Sequence, residues 1–143
     1  MDDHFAPRPV AAWFTPAAIA SLLFMALGCG AYLMHVMADA AQMPLDERAA
    51  YEALPVWVTA AFAVSVWIGA AGGLMLVLRK KLAEPLLLVS LVAVLVWLVG
   101  MMLTARVRES MSTNDWIVPI VIVALTWTIF WFARHSRRRE WLR

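Results

Sequence analysis

The stretch VWIGAAGGLMLVLRKK, Val66 to Lys81, puts three glycines a few residues ahead of a basic triplet. Such a pattern is either a cradle for phosphate or the seam and end of a membrane helix. A phosphate loop needs the spacing GxxxxGK[ST], with the lysine directly after the last glycine and a strand before the loop. Here five apolar residues separate Gly73 from Arg79. Gly69 and Gly73 instead make a GxxxG step, with Ser65 one turn earlier on the same helical face, so a second helix can approach closely. Arg79, Lys80 and Lys81 then end the span, their long side chains able to reach out of the hydrocarbon.

The whole chain agrees with the membrane reading. Of 143 residues, 64% are hydrophobic and 15% charged, and the mean hydropathy is +0.76, which excludes a soluble domain with a polar surface. The formal charge of +2 is too small for a nucleic-acid partner, and the basic residues gather at the ends of apolar runs rather than along an aromatic-studded stripe. A single cysteine, Cys29, rules out an intrachain disulfide and any cysteine-built metal centre.

Four apolar runs, about residues 17–37, 56–78, 86–104 and 116–133, each approach the ~20 residues that cross a hydrocarbon core. They must be helices, because a lone strand would leave its backbone groups unpaired in lipid. Pro16, Pro55 and Pro85 fall where spans begin. Pro119 either kinks the fourth span or marks its start. Ser112 and Asp115 have the spacing of a capping box ahead of that span. In the first long loop, Pro44 followed by Asp46 and Glu47 predicts a short interfacial helix over 44–53, with acids in the turn where they complement the helix dipole. The N-terminal MDDHFAPRP carries two aspartates and one arginine and does not read as a secretory signal, so the first span is expected to persist. The expected fold is an all-α, single-domain antiparallel bundle of four membrane helices.

Loop charges give an orientation. One side carries Arg8, Arg79, Lys80, Lys81, Arg134, Arg137, Arg138, Arg139 and Arg143; the other carries only Arg48, Arg106 and Arg108. Nine against three places both termini in the cytoplasm. The basic residues flanking the spans, and the tail over 134–143, are expected to hold anionic lipid headgroups, at about 1 kcal/mol for each near the surface.

The segment Tyr51 to Val94 resembles a group of small four-span bacterial inner-membrane proteins, some of them labelled sugar transporters. The resemblance rests on LPVW at Leu54 to Trp57, VWIG at Val66 to Gly69, the leucine-rich run into LRKK at Leu78 to Lys81, and AEP at Ala83 to Pro85. Where that group tends to carry an Asn and an Asp in the first span, this chain has Ala26 and Ala31. The resemblance implies a bacterial inner-membrane location and, through the label, small-solute transport.

Three residue sets are candidates for function. Trp67, Trp97 and Trp127 lie near mid-span, where indoles can stack on a sugar ring with Ser65, Thr126 and Thr128 as hydrogen-bonding groups, or can fill space opposite glycine. Tyr32, His35 and Asp39 follow at steps of three and four on one helical face, a spacing that lets an acid orient a histidine. Met34 and Met37 with His35 offer soft donors to copper, with Met43, Met101, Met102 and Met111 near the same face. The spans hold no nucleophile and base pair, and no cofactor motif, so the leading expectation is a non-enzymatic accessory or self-associating membrane protein. A sugar-type transporter acting as an oligomer is the alternative.

Overall fold

The computed structural model describes residues 9–143. Its elements are α1 (Phe14–Met37), α2 (Leu45–Ala53), α3 (Val56–Val77), α4 (Ala83–Leu103), α5 (Ala105–Ser110) and α6 (Ile117–Arg138), with a single 3-10 turn at Ala40–Gln42. The helices α1, α3, α4 and α6 are long and apolar enough to cross a membrane. They run antiparallel in chain order. One end of the bundle is basic, gathering the start of α1, the α3–α4 loop and the end of α6. The other is acidic and carries α2 and α5. Arg8, counted with the basic side above, lies outside the described residues.

Proline sets the helix starts, by a route slightly different from expectation. Pro16, Pro85 and Pro119 are each the third residue of their helix, and Pro55 immediately precedes α3. A first-turn amide has no acceptor within its own helix, so the missing N–H costs nothing there. Pro119 therefore lies in the first turn of α6, two residues after its start, as Pro16 and Pro85 do in theirs. Pro44 likewise precedes α2 rather than opening it. The Ser112 and Asp115 pair closes a turn instead of capping α6: the Asp115 carboxylate accepts from the Ser112 amide at 2.7 Å, while Trp116 stands at the cap with no side-chain bond. That amide holds the Asp115 carboxyl below the usual carboxylate range. The expected tail is also shorter, because α6 continues through Arg138.

Two helices at the basic end close in the same way without glycine. After α3, Arg79 takes a left-handed backbone (φ 56°), the Lys80 amide donates to Met75 O at 2.8 Å and the Arg79 amide to Leu76 O at 3.0 Å. After α6, Glu140 does the same (φ 60°), with Trp141 N donating to Ser136 O and Glu140 N to Arg137 O, both at 3.0 Å. Each is a Schellman closure with a residue other than the usual glycine at the left-handed position, at a backbone cost of roughly 1–2 kcal/mol. The second turns the chain back over the bundle. Leu142 is buried there, and Arg143 exchanges backbone hydrogen bonds with Arg79 and Lys81.

Lipid is as apolar as leucine, so burying apolar surface does not drive these helices together; close packing and hydrogen bonds must. The central pair α3 and α4 packs through small residues. A Cβ built on Gly72 would lie 2.8 Å from Leu87, and one on Gly100 would lie 2.5 Å from Val58. Between them the buried Ser90 hydroxyl donates to Ser65 O at 2.6 Å. On the other side of α3, Gly73 faces the Leu22 backbone of α1, and Cys29 Sγ donates to Val66 O at 3.3 Å. The fourth helix, α6, lies on α4, tied at the basic end by Arg137 to Glu84 at 2.7 Å.

Candidate functional site

Helix α1 rests on α3 and α6 rests on α4, but α1 and α6 meet chiefly at the basic end. There Phe132 packs against Trp13 and Phe14, with ring centroids 5.5 and 5.4 Å apart, and Trp141 closes edge-on against both Trp13 and Phe14. Above this aromatic clasp the two helices part. The space between them is a cavity of about 220 Å³, reached by all four spans and lined by Phe24, Met25 and Gly28 of α1, Phe62, Ser65 and Val66 of α3, Ser90 and Val94 of α4, and Ile122 and Thr126 of α6 among others.

The polar groups on this wall serve the backbone. Ser65 donates to Phe62 O at 2.7 Å, Ser90 to Ser65 O at 2.6 Å, and Thr126 to Ile122 O at 2.8 Å. With their protons so committed, the hydroxyls leave the cavity an apolar surface suited to hydrocarbon.

The three tryptophans expected to converge on a solute do not share this space. Trp67 and Trp127 are about half exposed, at 49% and 57%, on the lipid-facing side of their helices. Trp97 stacks on Phe62 with centroids 5.0 Å apart. Trp67, Trp97 and Trp127 are all absent from the cavity wall, and Thr128 is exposed with its hydroxyl bonded to Ala124 O. The reason is that a span apolar on every side gives no periodic signal for which face turns inward.

Ser65, Gly69 and Gly73 lie buried at the core of the bundle. Gly69 sits where a Cβ would come within 2.7 Å of both Met25 Sδ of α1 and Ser90 Oγ of α4. The GxxxG face thus packs against the chain's own helices. Gly72, which the i, i+4 spacing misses, serves α4 while Gly73 serves α1.

At the acidic end, Tyr32, His35 and Asp39 do not form one face, because α1 stops at Met37. Asp39 caps the following turn, accepting from Ala41 N at 3.0 Å and Gln42 Nε2 at 3.3 Å. His35 instead meets Tyr51 of α2, ring centroids 4.9 Å apart, and Tyr51 Oη donates to His35 O at 3.1 Å. Tyr32 packs beside Phe62. Met34 and Met37 are turned outward, 77% and 82% exposed, so they do not join His35 in a donor set. Met101 and Met111 line the cleft under α2 and α5 that His35 also lines. The short helix α5, with two arginines and a glutamate in six residues, carries no apolar periodicity that would have revealed it.

The cations expected to meet lipid headgroups, Arg79, Lys80, Lys81, Arg134, Arg137, Arg138 and Arg139, all lie at the basic end. Arg79 lies over the Phe14 ring at 5.6 Å, and Arg137 is spent on Glu84. Comparison with protein-family models, with curated proteins and with solved structures gives no match. The four apolar helices define the chain as an integral, multi-pass membrane protein.

Proposed function

We propose that the chain is a non-enzymatic accessory or structural protein of a bacterial inner membrane, working by packing against copies of itself or a partner membrane protein. Both termini face the cytoplasm, as the excess of Lys and Arg at the basic end favours. The observation that carries this reading is the use made of polar and small residues in the interior. Ser65, Ser90 and Thr126, the hydroxyls nearest to a solute path, donate to backbone carbonyls and hold helices in place. Sugar recognition needs several convergent polar groups, which this apolar wall does not offer. For association, α1 has a free face: Ala26 and Gly30, four residues apart, are exposed, and a Cβ on Gly30 would meet nothing within 4 Å. Small residues so spaced let a neighbouring helix come close.

The test is the oligomeric state of the full chain in mild detergent, by size exclusion with light scattering. An oligomer or a stoichiometric complex that Gly30→Leu dissociates supports the reading. A monomer whose tryptophan emission responds saturably to a sugar panel replaces it with transport. For orientation, cysteine placed at Asp46 or Arg106 is expected to react with an impermeant reagent outside intact cells, and one at Lys80 or Ser136 is not. Outside labelling at Lys80 would reverse the topology.

A further inference from the structure

The grooves at the two ends of the bundle differ in how their charges are balanced. Near α5, Arg106 shares its groove with Asp46 and Glu109. Beside the folded-back tail, Lys81, Arg137 and Arg143 share theirs with Glu140. A third groove, on the outer side of α6, is lined by Trp127, Phe130, Trp131, Arg134, His135 and Arg138, and contains no acid.

Its geometry is graded along the helix. Arg134 and Arg138 are one turn apart on the same face, where two like charges repel unless an anion lies between them. Neither enters an ion pair among the described residues; those found are Arg48 with Glu52 and Arg137 with Glu84. The negative end of the α6 dipole amounts to only about half a charge, too little to neutralise two guanidiniums. His135 stacks on Trp131, centroids 5.5 Å apart and 20° from parallel, which fixes the ring beside the cations. Below them Trp131 and Trp127 are exposed where the span enters hydrocarbon. From Arg138 to Trp127 the helix rises roughly 16 Å, so one groove runs from the interface into the bilayer.

We propose that this groove is a binding site for one anionic phospholipid. Its phosphate lies between Arg134 and Arg138, and an acyl chain lies along Trp131 and Trp127. A free phosphate would use only the cationic end and leave the indoles without a role. Arginine suits the phosphate because its planar fork can offer two parallel donors. The inference goes beyond the packing role and does not depend on it, since it concerns a face of α6 rather than the free face of α1.

The experiment is native mass spectrometry of the full chain released from detergent, with phosphatidylglycerol and phosphatidylcholine of identical acyl chains. One phosphatidylglycerol should be retained in preference to phosphatidylcholine. Arg134→Gln with Arg138→Gln should weaken that retention about thirtyfold, the loss expected for two basic residues at a membrane surface. Arg106→Gln with Arg108→Gln, the same charge change at the other end, should leave it unaltered. Equal losses from both pairs, equal retention of the two lipids, or displacement by inorganic phosphate at comparable concentration would overturn the site.

A second measurement needs no arginine variant. In nanodiscs, lipids with brominated acyl chains should quench tryptophan more when anionic than when zwitterionic at the same mole fraction. That difference should vanish in Trp127→Phe with Trp131→Phe; if it persists, the lipid sits elsewhere.

Discussion

The α3–α4 seam and the α1–α6 side are built on opposite plans. At the seam, glycine and serine remove side-chain bulk so that backbones approach and a hydroxyl reaches across: Gly72 lies against Leu87, and Ser90 bonds to Ser65 O. On the α1–α6 side, large aromatic rings make the contact at one end, and the helices diverge beyond it around the cavity. Each plan follows from packing in a solvent that does not expel apolar surface. Close contact over many residues holds a seam together. A ring cluster joins two helices at a point and leaves the rest of the gap lined by mostly apolar side chains.

The largest expected effect is at the α1–α3 contact, on the other side of α3 from the seam, where a glycine again lets backbones approach. Gly73→Leu directs a branched side chain at the Leu22 backbone of α1, 3.1 Å from where its Cβ would start, and backbone cannot rotate out of the way. The expected loss is about 3 kcal/mol, the upper range for overpacking a core, read as a lowered melting temperature in detergent. A wild-type melting curve would show that α1 can lift from α3 freely, and would confine the close-packed plan to the α3–α4 seam.

The clasp should be worth less. Phe132→Leu keeps most of the apolar volume and removes the ring contacts to Trp13 and Phe14. The expected loss is about 1 kcal/mol, in the range measured for aromatic pairs. The change should also widen the α1–α6 gap, observable as a longer distance between spin labels placed at Ala20 and Leu125. An unchanged distance with an unchanged melt would mean that the clasp does not set the gap.

What the sequence disclosed divides along the same line. The spans were legible because each apolar run is long enough for only one structure, and the α3 glycines because close approach in lipid requires small residues. The inward faces of the spans were not legible, since the side of Trp67 or Trp127 that meets lipid is as apolar as the side that meets protein. The Tyr32, His35 and Asp39 face assumed a helix running through Asp39, yet α1 ends at Met37 and the histidine turns to Tyr51, sixteen residues onward, a contact that no local spacing announces. The α6 groove proposed to hold a lipid was half legible: its arginines stood out as charge and share one face of α6 with Trp127 and Trp131 at steps of three and four, but the pairing of Arg137 with Glu84 depends on where α6 lies against α4.

The smallest effect tests how the seam is held. Ser90 is buried, and its hydroxyl donates to Ser65 O, a carbonyl that also lies within the α3 hydrogen-bond ladder. Ser90→Ala therefore removes one interhelical bond without stranding its acceptor, and should cost about 0.6 kcal/mol, the average for such bonds in membrane bundles. Ser90 Oγ stands 2.7 Å from the Cβ that Gly69→Ala would introduce, and Met25 Sδ stands equally near. The methionine is flexible and can retreat, whereas the serine is fixed by its bond. Gly69→Ala should then be less damaging in the Ser90→Ala background than in the wild type, with a coupling of roughly 0.5 kcal/mol or more by double-mutant cycle. Additive costs would assign the restriction at Gly69 to α1 instead, and would make the three-helix junction, rather than the α3–α4 pair, the tightest part of the molecule.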